Sequence, residues 1–258
     1  MTISIITVTY NDLENLRKTV NSVLFQSYEN IEYIIVDGGS TDGTKEFLES
    51  IKDKRVKWIS EKDSGLYDAM NKGSELASGD FAIFLNAGDT FIDDEILEKV
   101  VKRIKDKNKV YFTRAKVVGD NIEWIYPSFN EKLDKWIKKN LPNHQSMFFP
   151  KIFYKNYKYD LKLNTTADID YKFAAKKLGF EFVDEIMIIF KLGGISTKCF
   201  NFKEVLRKVR ELIYRDFKKK LRLKGIIDII KTILKSLICN IIGYNLLMKI
   251  IIKLKGYK

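Results

Sequence analysis

A chain of 258 residues with 45% hydrophobic side chains holds enough apolar material for one large or two small domains, which excludes a disordered tail. The formal net charge is +12, yet residues 1–200 carry 30 Lys and Arg against 30 Asp and Glu, whereas residues 201–258 carry 16 against 4. A neutral body with a basic end argues against a protein that embraces nucleic acid over its whole surface, and favours a folded domain with an electrostatic attachment device.

The N-terminal MTISIITVTYND lacks the basic start and long apolar run of a signal peptide, so the chain is expected to stay in the cytosol. Residues 3–9, ISIITVT, are β-branched and almost wholly apolar, as a strand buried on both faces should be. Leu13, Leu16, Val20, Val23 and Leu24 then recur at helical spacing, with Asn11 or Asp12 as the cap. The alternation continues: strand IEYIIVD, helix from Gly43 to Ile51, strand VKWIS, helix from Leu66 to Ser78, strand FAIFL. Strands separated by such helices imply parallel pairing and an α/β architecture. A helix after Asp94 leads to KVYFTRAKVVG and IEWIY, a β-hairpin closed by Gly-Asp-Asn. Residues 127–165 are irregular and aromatic, a surface segment able to close over a cleft. A helix from Asp168 to Leu178 and the strand FEFVDEIMIIF complete the domain.

Ligands of open α/β sheets bind beyond the carboxyl ends of the strands. Here those ends read Thr9-Tyr10-Asn11, then Asp37 to Gly43, then Asn86-Ala87-Gly88-Asp89. The dinucleotide and P-loop glycine fingerprints are absent. Carboxylates facing a cleft suggest a hard cation, because Mg²⁺ or Mn²⁺ needs only one or two of them when substrate phosphates supply further oxygens.

The segments TVTYN at 7–11, QSYENIEYIIVDGGSTDGT at 26–44, ISEKDSGLYDAMNKG at 59–73, ASGDFAIFLNAGD at 77–89 and TADID at 166–170 occur in that order. Together they resemble the inverting glycosyltransferases of family 2, with the GT-A fold, and in particular bacterial enzymes of polysaccharide and lipopolysaccharide biosynthesis. The resemblance implies an α/β GT-A domain at 1–198, a mostly parallel central sheet flanked by helices. About 1–105 would bind the nucleotide sugar and about 106–198 the acceptor. It implies a nucleoside-diphosphate sugar as donor, a UDP-sugar first, with a glycan or lipid-linked acceptor.

Carried over residue by residue, Thr7, Thr9, Tyr10, Asp37, Asp68 and Asn86 would hold the donor, with the segment from Asp63 to Asn71 lining the same pocket and Asp68 its first contact. Asp89 would hold the Mn²⁺ or Mg²⁺, and the family's D-x-D is thinned here to Asn-Ala-Gly-Asp. Asp168 would be the general base, with Asp170 as its fallback, and His144 would face the diphosphate and the acceptor. A nucleotidyltransferase of similar design is the second enzyme reading, although TYNDLENLRK lacks its Gly-rich, basic loop. A non-catalytic membrane-bound scaffold is the third.

Residues 199–258 form the tail. Val205, Leu206, Val209, Leu212, Ile213 and Phe217 make a helical stripe, FKKKLRLKG concentrates charge, and Ile226 to Leu254 is mostly Ile and Leu, divided at Gly243. Amphipathic helices of this kind are expected to lie on an anionic membrane, at the inner face of the cell membrane, with no nucleic acid as partner. The longest uncharged run, Ser236 to Met248, falls short of the ~20 apolar residues a spanning helix needs. Cys199 and Cys239 cannot make a disulfide framework and are expected to be inert.

Overall fold

The computed structural model describes residues 1–129, 132–192, 201–219 and 222–255. In chain order the elements are β1 (Ile3–Thr9), α1 (Leu13–Leu24), β2 (Ile31–Asp37), α2 (Thr44–Ser50), β3 (Val56–Ser60), α3 (Leu66–Leu76), β4 (Phe81–Phe84), β5 (Thr90–Phe91), α4 (Ile96–Val101), β6 (Val110–Gly119) and β7 (Ile122–Tyr126). They continue with α5 (Leu133–Lys139), a 3-10 turn at His144–Ser146, β8 (Met147–Pro150), α6 (Lys151–Tyr154), α7 (Ala167–Ala175), a second 3-10 turn at Lys176–Leu178, β9 (Phe180–Lys191), α8 (Phe202–Lys219), α9 (Arg222–Ile242) and α10 (Tyr244–Lys255).

The sheet runs β3-β2-β1-β4-β8-β6-β9-β5, with β7 hydrogen-bonded to β6. Its first half is parallel, as the strand-helix alternation predicts. β8 then joins antiparallel between β4 and β6, while β6 and β9 pair in parallel. The burial of every residue of β1 and β2 follows from cover on both faces. Ile3, Ile5, Tyr33 and Ile35 face one core with Leu16, Val20 and Leu97; Ile6, Val8, Ile34 and Val36 face another with Met70, Phe84 and Tyr171. Successive side chains of a strand point to opposite faces, so one short apolar run serves two cores. Helix α3 lies so close to β1 that a Cβ at Gly73 would come within 2.4 Å of Ile6 Cγ2.

The predicted boundary after residue 198 lies in 193–200, outside the described residues, as does Cys199. The predicted basic run at 217–225 spans 220–221, also outside them. The helices beyond fold back on the body. Leu212 of α8 is buried, and Met248 of α10 packs on Val117, Ile122 and Trp124 of the β6–β7 hairpin. Gly243, at φ +78, separates α9 from α10, as expected. Cys239 is disulfide-bonded rather than an inert thiol, a correction to the sequence reading. Among the described residues no helix is long and apolar enough to cross a membrane.

Candidate functional site

Two cavities open at the carboxyl ends of the parallel strands. The larger, about 660 Å³, is lined by the end of β1 (Val8, Thr9, Tyr10), the start of α1 (Asp12, Asn15), the 63–67 turn, Asn86 to Asp89, and Lys191 at the end of β9. The smaller, about 270 Å³, is lined by Tyr126, the 141–145 segment, Asp168 and Lys172. Leu66, Tyr67, Asn86, Gln145 and Phe190 line both, so the two share a wall. The N-termini of α1 and α3 point at the larger one, and helix N-termini favour anions.

The larger cavity is acidic at its floor. Asp89 is 4% exposed, and its carboxyl accepts from the backbone N–H of Lys191 at 3.2 Å. Burial pushes its pKa up to about 8 against that single hydrogen bond. Asn86 Oδ1 and Thr9 Oγ1, both in the lining, are buried without a hydrogen-bond partner. Buried polar atoms are seldom left so, and these two oxygens are free to take a ligand in the cavity. Among the described residues no group of three or more His, Cys, Asp and Glu side chains could hold a metal ion alone. A cation placed here would need oxygens from its ligand and water beyond those of Asp89 and Asn86.

Asp168 stands in the first turn of α7 and faces the smaller cavity. Tyr67 Oη donates to its Oδ1 at 3.2 Å, and Lys172 Nζ lies 3.0 Å from its Oδ2. Burial works to raise its pKa, but the Lys172 ammonium and the hydrogen bonds from Lys172 and Tyr67 prevail and hold the carboxyl below the usual range. It is therefore ionised at neutral pH and able to accept a proton.

The other predicted residues divide. Thr9, Tyr10, Asn86 and Asp89 meet in the larger cavity, with Tyr10 65% exposed at its mouth. Thr7 lies beneath it, donating to the Leu85 carbonyl at 2.7 Å. Asp37 is fully buried outside both linings; it accepts from the backbone N–H and hydroxyl of Ser40 and, at 2.6 Å, from Ser60 Oγ, so it braces the loop after β2. Asp68 likewise faces away from both linings, accepting from Ser64 N–H at 2.9 Å, and Asp63 lines the larger cavity instead. Asp170 is buried on α7 and lines neither cavity, as expected for helical neighbours two apart. His144 does line the smaller cavity, but burial lowers its pKa to about 3, so it is a neutral ring, hydrogen-bonded to Tyr159 Oη at 2.8 Å between Phe84 and Phe149.

Sequence reasoning missed Asn15, Lys172 and Lys191, and within the 63–71 segment expected to line the donor pocket it singled out Asp68 rather than Asp63 or Tyr67. Lys172 was findable only through Asp168, since it sits one turn after the predicted base.

Residues 4–177 match the family described as Glycosyl transferase family 2. An uncharacterised glycosyltransferase of Mycobacterium tuberculosis is 35% identical over 178 residues, 66% of this chain and 67% of that protein. A PGL/p-HBAD biosynthesis glycosyltransferase of Mycobacterium bovis is 28% identical over 216 residues, 80% of this chain and 83% of its own. Among solved structures, S. aureus TarS 1–349 in complex with UDP-GlcNAc superposes with a TM-score of 0.63 at 18% identity, over 83% of this chain and 67% of that one. A mannosyltransferase from Pyrobaculum calidifontis in complex with GDP-Man and Mn²⁺ gives 0.55 at 16% identity, over 85% of this chain and 64% of that one. At that identity the solved structures establish the fold, and the family match favours glycosyl transfer over the nucleotidyltransferase reading. The chain belongs to glycosyl transferase family 2 and is a glycosyltransferase of the GT-A fold.

Proposed function

We propose that the protein transfers a sugar from a nucleoside-diphosphate sugar, a UDP-sugar first, to a lipid-linked glycan acceptor, with inversion at the anomeric carbon. One observation carries this reading: Asp168 faces the smaller of two cavities that share a wall, apart from the acidic floor of the larger. The donor would fill the larger cavity and the acceptor hydroxyl the smaller. Asp168 takes the hydroxyl proton as the oxygen attacks; the new C–O bond forms on the face opposite the leaving group, and the diphosphate departs with the old bond's electron pair.

Each neighbour has a part in that chemistry. Lys172 keeps Asp168 ionised, and Tyr67 holds one of its oxygens in place. Thr9 and Asn86 offer unpartnered oxygens to the donor, while Tyr10 and Asp63 form its outer wall. Asp12 and Asp63 outnumber Lys191 in the larger lining, so a diphosphate there needs added positive charge. Asp89 and Asn86 would hold a Mn²⁺ or Mg²⁺ ion, which as a Lewis acid stabilises charge on a leaving diphosphate.

The tail supports a membrane location. Along α9 the side turned to the protein carries Thr232, Ser236 and Cys239, with Ser236 and Cys239 buried, whereas Ile230, Leu234, Leu237 and Ile241 are 51%, 51%, 55% and 81% exposed. This is the reverse of a solvated helix, which buries its large apolar side chains. With Lys231, Lys235, Lys249 and Lys253 exposed beside the apolar rows of α9 and α10, the surface suits the headgroup region of an anionic bilayer at the inner face of the cell membrane. The acceptor would be a growing cell-surface polysaccharide or lipopolysaccharide on its lipid carrier. The test is release of nucleoside diphosphate from a panel of sugar nucleotides with lipid-linked acceptors, with and without Mn²⁺. Turnover of a UDP-sugar that Mn²⁺ enhances is expected; no turnover of any donor would refute the reading.

A further inference from the structure

The tail carries few acids, and one of them is buried against the body. Glu211 of α8 is 4% exposed. Its Oε1 accepts from the backbone N–H of Asn164 at 3.0 Å. Its Oε2 accepts from the Thr165 N–H at 3.0 Å, from Thr165 Oγ1 at 2.8 Å and from Thr166 Oγ1 at 3.3 Å. A carboxylate with this set of donors is a strong, directional clamp.

The clamped residues connect to both cavities. Asn164 and Thr165 line the larger one. Thr166 is the N-cap residue of α7, yet its side chain makes no capping bond to that helix; it is turned to Glu211 instead. Asp168 follows two residues later. The rest of α8 reinforces the docking, since Tyr214 Oη donates to Asp160 Oδ2 at 3.2 Å, and Lys162 Nζ lies 5.6 Å from the Tyr214 ring centroid. Without Glu211 two backbone N–H groups lose their acceptor and the entry to α7 loses this anchor on the tail.

We propose that Glu211 is a positioning residue for Asp168, so that the C-terminal tail completes the active site as well as attaching it to a surface. This rests on the reading of Asp168 as the base. A displacement of about 1 Å at a reacting group is enough to lower a rate about a hundredfold. The clamp works through α7 and does not touch substrate.

The experiment compares the full chain with Glu211→Ala, Glu211→Gln, Asp168→Asn and the Asp168→Asn/Glu211→Ala double variant. Turnover is read as UDP release from the UDP-sugar the wild type accepts, and binding as UDP with Mn²⁺ by calorimetry. Glu211→Ala should lower kcat between tenfold and a hundredfold while UDP affinity stays within threefold. Glu211→Gln keeps one carbonyl oxygen for the Thr165 and Thr166 donors but sets an amide NH2 against the Asn164 N–H, so it should recover only part of the loss and leave kcat several-fold below the wild type. The double variant should be no slower than Asp168→Asn alone, because a misplaced base costs nothing once the base is gone. Wild-type kcat in both Glu211 variants, or losses that multiply in the double variant, would overturn the inference. Near-wild-type turnover of Asp168→Asn would instead remove the base reading beneath it. If Glu211→Ala does not fold, Glu211→Gln decides alone: a several-fold loss of kcat with UDP affinity kept supports the clamp, and unchanged kcat overturns it.

Discussion

Glu32 ties together the end of the sheet opposite the cavities, and replacing it by Gln should separate stability from function. It is 7% exposed and accepts from Ser4 Oγ at 2.6 Å, Ser78 N at 2.7 Å, Ser78 Oγ at 2.9 Å and Lys57 Nζ at 2.9 Å. Burial works to raise its pKa, but the Ser4, Lys57 and Ser78 hydrogen bonds overcome it and lower the value from 4.5 to about 2. A carboxyl so displaced contributes about 3 kcal/mol when ionised. Because the folded pKa is the lower one, that contribution is complete above pH 4.5 and is lost as pH falls through about 2. Glu32→Gln should therefore cost about 3 kcal/mol at pH 7 but only about 2 kcal/mol at pH 3.5, measured by urea unfolding. Lys57 is 61% exposed, so Lys57→Ala should cost under about 1 kcal/mol and fade with salt. Turnover per folded molecule should not change. A Glu32→Gln loss that is absent at pH 7, or equal at both pH values, would refute the reasoning.

Three further outcomes are expected. At Gly38 a Cβ would stand 2.7 Å from Asp63 Oδ2 and 3.3 Å from Tyr10 Cδ2, both in the larger cavity's wall; Gly38→Ala should weaken UDP binding about tenfold by calorimetry, with the melting temperature little changed. His144 is held neutral by burial, with its pKa lowered from 6.5 to about 3, so the unfolded chain binds its proton first and stability falls as pH drops below 6.5, by about 2 kcal/mol at pH 5. Urea titrations should show that slope flattened in His144→Asn. Finally, Leu237→Glu with Ile241→Glu puts two carboxylates on the outward face of α9; the variant should fold and turn over a soluble acceptor, yet fail to sediment with anionic vesicles.

The first half of the fold was legible because each buried strand is a short β-branched run followed by an amphipathic helix with clear spacing. β8 was not: Met147–Pro150 is wholly buried but short, and it lies inside a stretch whose prolines and aromatics suggest surface. What buries it is pairing with β4 and β6, both distant in sequence. At the site, strand ends pointed to Thr9, Asn86 and Asp89, because chain direction alone determines where those ends emerge. The choice between Asp63 and Asp68 depends on which way a turn faces, and no spacing rule supplies that. Glu211 was least legible of all. It reads as one acid in a basic helix, and only the return of α8 onto residues 164–166 gives it partners.

The most direct measurement compares Asp168→Asn with the wild type in two assays on the same preparation: transfer of labelled sugar to a lipid-linked acceptor, and UDP affinity with Mn²⁺ by calorimetry. Loss of the ionised oxygen should lower transfer by about 10²- to 10⁴-fold, while UDP affinity stays within threefold, because Asp168 lines the smaller cavity and not the larger. Transfer within tenfold of the wild type would contradict a base at Asp168, and parallel loss of UDP binding would make it a structural residue.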